Sequence, residues 1–204
     1  MRLPLALAAL AALLPLATAA APYRPNPDWP CQQPLVPTVT AAMIWQGPPL
    51  DANGDWHDDA AVAALVARVA PRHVAIADGT AAIADYVKGL DGAERPRRIG
   101  LAFAGLLDES NRERAQVIDG IKELAARQRN LAELIAKLTS ELDATPATAT
   151  GEAAAKRDEL YQRWSFNTQT YNSVEQTMRY ACEIPGKLDA RLGAYARALE
   201  AGLR

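Results

Sequence analysis

The chain is 204 residues long, enough for one domain with its own core, or for a small domain carrying a projection. Its 22 basic and 24 acidic residues nearly cancel, which argues against nucleic acid as the main partner, and no polybasic tract is present to hold an anionic membrane. Half of the residues are hydrophobic but only 6% are aromatic, with alanine making up much of the difference, a composition suited to closely packed helices.

Residues 1–20 read as a cleaved export signal. Arg2 supplies a short positive start, Leu3 to Leu16 an apolar run, and Ala17, Thr18, Ala19 and Ala20 a small-residue cleavage site. The apolar run is short for a membrane span, and no later segment reaches that length. The stretch from Ile99 to Leu107 is apolar but brief, flanked by Arg97-Arg98 and Asp108-Glu109. A periplasmic or secreted location, with no transmembrane segment after signal cleavage, is the expectation. In an oxidising compartment the two cysteines, Cys31 and Cys182, predict one disulfide, worth about 4–5 kcal/mol in chain-entropy terms for so long a loop.

Residues 21–37 contain six prolines, from Pro22 to Pro37. Each fixes φ and removes a backbone donor, so the segment is expected to be an extended arm lying on the surface, anchored by Tyr23 and Trp29. Residues 38–95 read as short helices packing on the base of a hairpin. One covers Thr38 to Trp45 and ends at Gly47-Pro48-Pro49. A second runs from about Asp58 to Val69, with Val62, Leu65, Val66 and Val69 at helical spacing, and stops at Pro71. A third runs from about Val74 to Lys88.

Residues 96–204 predict the dominant feature, a long antiparallel helical hairpin of coiled-coil type. Its first arm places Val117, Ile121, Leu124, Gln128, Leu131, Ile135, Leu138 and Leu142 in a 4-3 rhythm. Its second places Ala153, Arg157, Leu160, Trp164, Asn167, Tyr171, Val174 and Met178 in the mirror rhythm. Folding at a turn near 143–152 sets Leu142 opposite Ala153, Ile121 opposite Val174, and the lone amides Gln128 and Asn167 opposite each other. A buried amide pair of this kind would pin the register, since a slip leaves each amide unpaired at a cost of about 1–3 kcal/mol. The same phase continues through Gly100, Phe103, Leu107 and Arg114 on one side and Leu188, Leu192 and Tyr195 on the other. Pro185-Gly186 is expected to kink or break the second arm near 185, and Gly100 to make room for Tyr195. No strand-like alternation is present, so the fold class is all-α.

Candidate chemistry is sparse. Asp51, Asn53, Asp55 and Asp59 follow the first, third, fifth and ninth oxygen-ligand positions of an EF-hand loop, which the segment resembles over nine residues. Trp56 then stands where the sharp turn needs glycine, and Val62 where the bidentate glutamate belongs. The segment is therefore not an EF-hand but either a weak site for calcium or another hard cation or an Asn-Gly turn feeding an Asp-capped helix. His57 and His73 have no partners in a zinc-like spacing. No nucleophile motif or phosphate loop is found, and Tyr161, Phe166 and Tyr180 fall off the hairpin seam. The expected function is a non-enzymatic adaptor, scaffold or chaperone-like protein working through the hairpin surface, with periplasmic cation handling as the alternative. Nothing in the sequence chooses between a monomer and a homodimer.

Overall fold

The computed structural model describes residues 28–51 and 54–204. The segment expected to be an export signal, the first part of the arm with Tyr23, and Asn53 lie outside the described residues. Among those described, the secondary structure is helical throughout. Short helices α1 (Ala41–Ile44), α2 (Ala60–Val69) and α3 (Ile76–Lys88) precede two long ones, α4 (Arg95–Asp143) and α5 (Glu152–Glu200). The two long helices pack against each other as the expected hairpin.

Each element starts and stops for local reasons. The Asp59 carboxylate accepts the N–H groups of Ala61 and Val62, closing two open donors at the start of α2, and its other oxygen pairs with Arg98 at 3.1 Å. Pro96 sits in the first turn of α4, where its missing N–H has no partner to lose. α4 then continues as one helix through Ser110 and Asn111. Gly151, at φ 61°, precedes α5 in a backbone conformation that favours glycine. Arg157, one and a half turns on, staples the hairpin turn by donating to the carbonyls of Leu142 (2.7 Å) and Thr145.

The core sits at one end of the hairpin. Ile99, Ala102, Phe103 and Leu106 of α4 and Leu192, Tyr195, Ala196 and Leu199 of α5 bury against Val62, Leu65, Val66 and Val69 of α2 and Ile83 and Val87 of α3. Trp45 stacks on Phe103, with ring centroids 4.5 Å apart. Tyr195 donates to the Val69 carbonyl at 3.1 Å. The glycine that accommodates Tyr195 is Gly79 of α3, where a Cβ would overlap the tyrosine ring. Gly100, expected from the pairing to play that part, faces open space apart from Leu50. Tyr195 turns towards α3 because the base adds a third layer that a two-helix pairing does not contain.

Of the kink or break expected at Pro185, the break does not occur, since α5 runs unbroken through it. Pro185 has no N–H to give the Ala181 carbonyl one turn back, and two neighbouring carbonyls of the same stretch receive donors from other segments. Gln33 of the arm donates to the Cys182 carbonyl, and Arg114 of α4 donates to the Pro185 carbonyl at 3.4 Å.

Candidate functional site

The arm runs antiparallel to α4 and is tied to the hairpin along its described length. Asp28 pairs with Arg129 at 2.9 Å. Trp29 is buried and donates its indole N–H to the Gln33 carbonyl at 2.7 Å. Cys31 and Cys182 form the predicted disulfide, with Cα atoms 5.5 Å apart. Further on, the Asn111 side-chain amide exchanges two hydrogen bonds with the backbone of Val39, each 2.9 Å, reproducing the pairing of a strand neighbour. Trp29, Cys31, Ile118 and Ile121 make a second, smaller core beneath the bridge.

Arg114 is the centre of this clamp. It is only 2% exposed, the one charged or polar side chain among the buried residues described. Its guanidinium reaches three segments: the Val36 carbonyl of the arm (3.3 Å), the Pro185 carbonyl, and the Asp189 carboxylate one turn further along α5. A buried cation is tolerated only when paired and hydrogen-bonded, and here the pairing joins arm, α4 and α5. Its Nε finds no partner.

Between the arm and α5 opens a cleft of about 1100 Å³, walled by Trp29, Gln33, Arg114, Gln128, Tyr171 and Met178 among others. The charges along it are paired: Arg179 with Glu175 (2.5 Å), Lys187 with Glu183 (2.8 Å), and Arg114 with Asp189. Both cysteines are bonded to each other, and neither histidine lines the cleft. The arrangement offers amides, an aromatic hydroxyl and apolar walls, which suit binding.

The two amides expected to pair across the seam lie apart in use. Asn167 donates to the Arg163 carbonyl of its own helix at 2.7 Å, while Gln128 lines the cleft with Tyr171, and no hydrogen bond joins Gln128 to Asn167. Cross-hairpin polar contacts fall elsewhere: Arg157 on Leu142, Trp164 on the Thr139 hydroxyl (3.1 Å), and the Arg114 clamp. An asparagine in a helix can bond the carbonyl one turn back, and here one amide hydrogen of Asn167 is used in that way.

The acidic segment does local structural work. Asp55 accepts both the backbone N–H of His57 and its ring Nδ1, the latter at 2.6 Å, and the backbone hydrogen bond chiefly holds the Asp55 carboxyl below its ordinary pKa. Asp59 caps α2 and meets Arg97 and Arg98. Trp56 lies over Gly105, stapling the turn to α4. Among the described residues, Asp51, Asp55 and Asp59 are not gathered into a group that would hold a metal ion. His73 is exposed at the turn between α2 and α3.

A feature only half legible in the sequence is the outer face of α5. Phe166 is 69% exposed and Tyr180 62% exposed, and Thr170, Ser173, Thr177 and Ile184 complete one stripe with them at helical spacing. No charge falls between Trp164 and Glu175. Exposure of the aromatics follows from their seam-off positions; the neutrality of the residues between them is the signal that sequence reasoning passed over.

Comparison with known proteins finds no matching family model, no similar curated protein and no similar solved structure.

Proposed function

We propose that this chain is an exported, non-enzymatic interaction protein of the adaptor, scaffold or chaperone-like kind, working in the periplasm or outside the cell. The observation that carries the reading is the asymmetry of the hairpin. Helices, disulfide and the Arg114 clamp hold one end, and beyond the clamp α4 and α5 extend together for about 40 Å, at 1.5 Å per residue. A helix pair held at its root presents a long, ordered surface at small entropic cost to a partner. The intramolecular disulfide fits an oxidising compartment. Among the described residues no helix is long and apolar enough to cross a membrane.

A photoreactive residue in place of Thr148, at the turn, tests the reading in cells that express the full chain. A single dominant crosslinked partner protein is expected. The absence of any crosslinked protein from Thr148, and equally from Tyr161 on the distal half of α5, would overturn it.

A further inference from the structure

The arm is held in two different ways, and the Cys31–Cys182 bridge stands between them. Towards its end the arm belongs to the base. Val39 is buried in the main core and exchanges two hydrogen bonds with Asn111, and the Val36 carbonyl receives Arg114. Towards its start, residues 28–35 lie as a strap over the hairpin, where Trp29, Cys31 and Leu35 cover Ile118 and Ile121 of α4. Besides the bridge, the ties of the strap include the Asp28–Arg129 pair, exposed on both sides, and the exposed Gln33 amide on the Cys182 carbonyl. Contacts of that kind at the surface stabilise little.

The strap is also self-contained. Trp29 donates its indole N–H to the Gln33 carbonyl, so the bond travels with the strap and lifting it strands no indole donor. α4 and α5 pack directly on each other, so the hairpin holds together without it. Burial of Trp29 and Leu35 keeps the strap down, and the chain freedom regained by residues 28–35 favours its release. The bridge decides between these opposed effects, because it confines the strap to its bed at high effective concentration.

We propose that the Cys31–Cys182 bridge is a redox latch: a dithiol opens it, residues 28–35 swing away about residues 36–39, and the apolar bed at Ile118 and Ile121 joins the cleft between arm and α5. Both cysteines line that cleft, but Cys182 is half-buried while Cys31 is only 4% exposed. Attack therefore falls on Cys182. One thiolate of the dithiol bonds to the Cys182 sulfur, and the S–S bond breaks with its electron pair leaving on the Cys31 sulfur, which takes up a proton. The second thiol of the dithiol, as thiolate, then displaces the Cys182 sulfur, which is protonated in turn. The protein gains two electrons and two protons, and the dithiol loses both and ends as a disulfide.

The test uses the full chain less the expected export signal, with isoleucine methyl groups labelled for NMR, before and after dithiothreitol. Ile118 and Ile121 report the bed, and Ile83 and Ile99, both completely buried, report the base. On reduction the Ile118 and Ile121 signals are expected to move, and the relaxation caused by a soluble gadolinium chelate to rise several-fold at Ile118. Ile83, Ile99 and the helical circular dichroism should stay unchanged. Trp29 emission, read as the difference from Trp29→Phe, should shift to the red, and reoxidation should reverse every change. Cys31→Ser with Cys182→Ser should show the released strap without any reductant. A small monothiol, trapped by acid and mapped, is expected on Cys182.

Unmoved Ile118 and Ile121 signals in the reduced chain and in the double variant would overturn the proposal, since the strap would then stay down without its bridge. Equal changes at Ile83 and Ile99 would overturn it as well, since the base would then unfold together with the strap. So would a monothiol adduct confined to Cys31, or a bridge that dithiothreitol opens only in denaturant. None of these outcomes bears on a partner at the hairpin turn, which Thr148 reports separately.

Discussion

α4 and α5 belong to a three-layered base at one end and to a two-helix projection at the other. In the base, Phe103, Ile99 and Leu199 are completely buried in the core that α2 and α3 build with them. In the projection, Leu131, Leu134 and Ile135 of α4 and Trp164 and Tyr171 of α5 sit only half-buried on the seam. A two-helix seam leaves the flank of many side chains in water, although Leu138 and Leu160 nearer the turn are buried, so those half-buried residues contribute less than the same types in the base. The difference teaches that stability lives at the base while the distal hairpin is ordered by continuity with it, which is the division of labour an interaction surface needs.

Truncations at the two ends are the most direct way to break that comparison. Phe103→Ala in the base is expected to cost about 3–5 kcal/mol of unfolding free energy, whereas Ile135→Ala in the projection is expected to cost about 1 kcal/mol. Urea unfolding of both variants reads this out; equal losses would mean that the projection carries as much stability as the base. The bridge comes next. Cys31→Ser with Cys182→Ser is expected to cost about 2–4 kcal/mol, with hydrogen exchange rising first in residues 28–39 and only then in α5.

The clamp that separates the two regions gives a smaller and sharper contrast. Asp189→Ala leaves the Arg114 guanidinium buried without its counter-charge and is expected to cost about 2–3 kcal/mol, less than a fully buried pair because Asp189 is half-exposed. Arg114→Met removes the charge, keeps most of the volume and is expected to cost only about 1 kcal/mol, from the carbonyls it leaves. If Arg114→Met proves the worse of the two in denaturant midpoint, the guanidinium contributes more by its hydrogen bonds than its burial costs.

The projection was far more legible in the sequence than the base. Repeated 4-3 spacing on both arms reports a seam many times over, and two cysteines leave one bridge to form. The base depends on contacts that no local pattern encodes. Gly79 makes room for Tyr195 across 116 positions of sequence, and Arg114 reads as one more seam residue until the arm's Val36 carbonyl is placed beside it. Pro185 was expected to kink or break α5; the helix runs through it without a break, and Gln33 and Arg114 donate to the neighbouring Cys182 and Pro185 carbonyls. For the Gln128 and Asn167 pair, the described residues show only a local bond from Asn167 to the Arg163 carbonyl.

The smallest expected effect lies where the base packs a polar group without a partner. The Tyr86 hydroxyl of α3 is buried and makes no hydrogen bond, and burial, aided by the Asp59 charge, pushes its pKa above the ordinary value of 10.0. Tyr86→Phe keeps the ring and deletes the unsatisfied group, so stability at neutral pH is expected to rise by up to about 1 kcal/mol. The pH dependence follows the same asymmetry. With the folded pKa raised, the folded chain holds its proton after the unfolded chain has lost it, so stability is independent of this group below pH 10 and declines as pH climbs towards the raised value. Tyr86→Phe should therefore flatten the alkaline limb of the melting-temperature profile while leaving the acid limb unchanged. A lower melting temperature at neutral pH would show that the hydroxyl is satisfied after all, and that the base packs its polar groups as completely as the clamp does around Arg114.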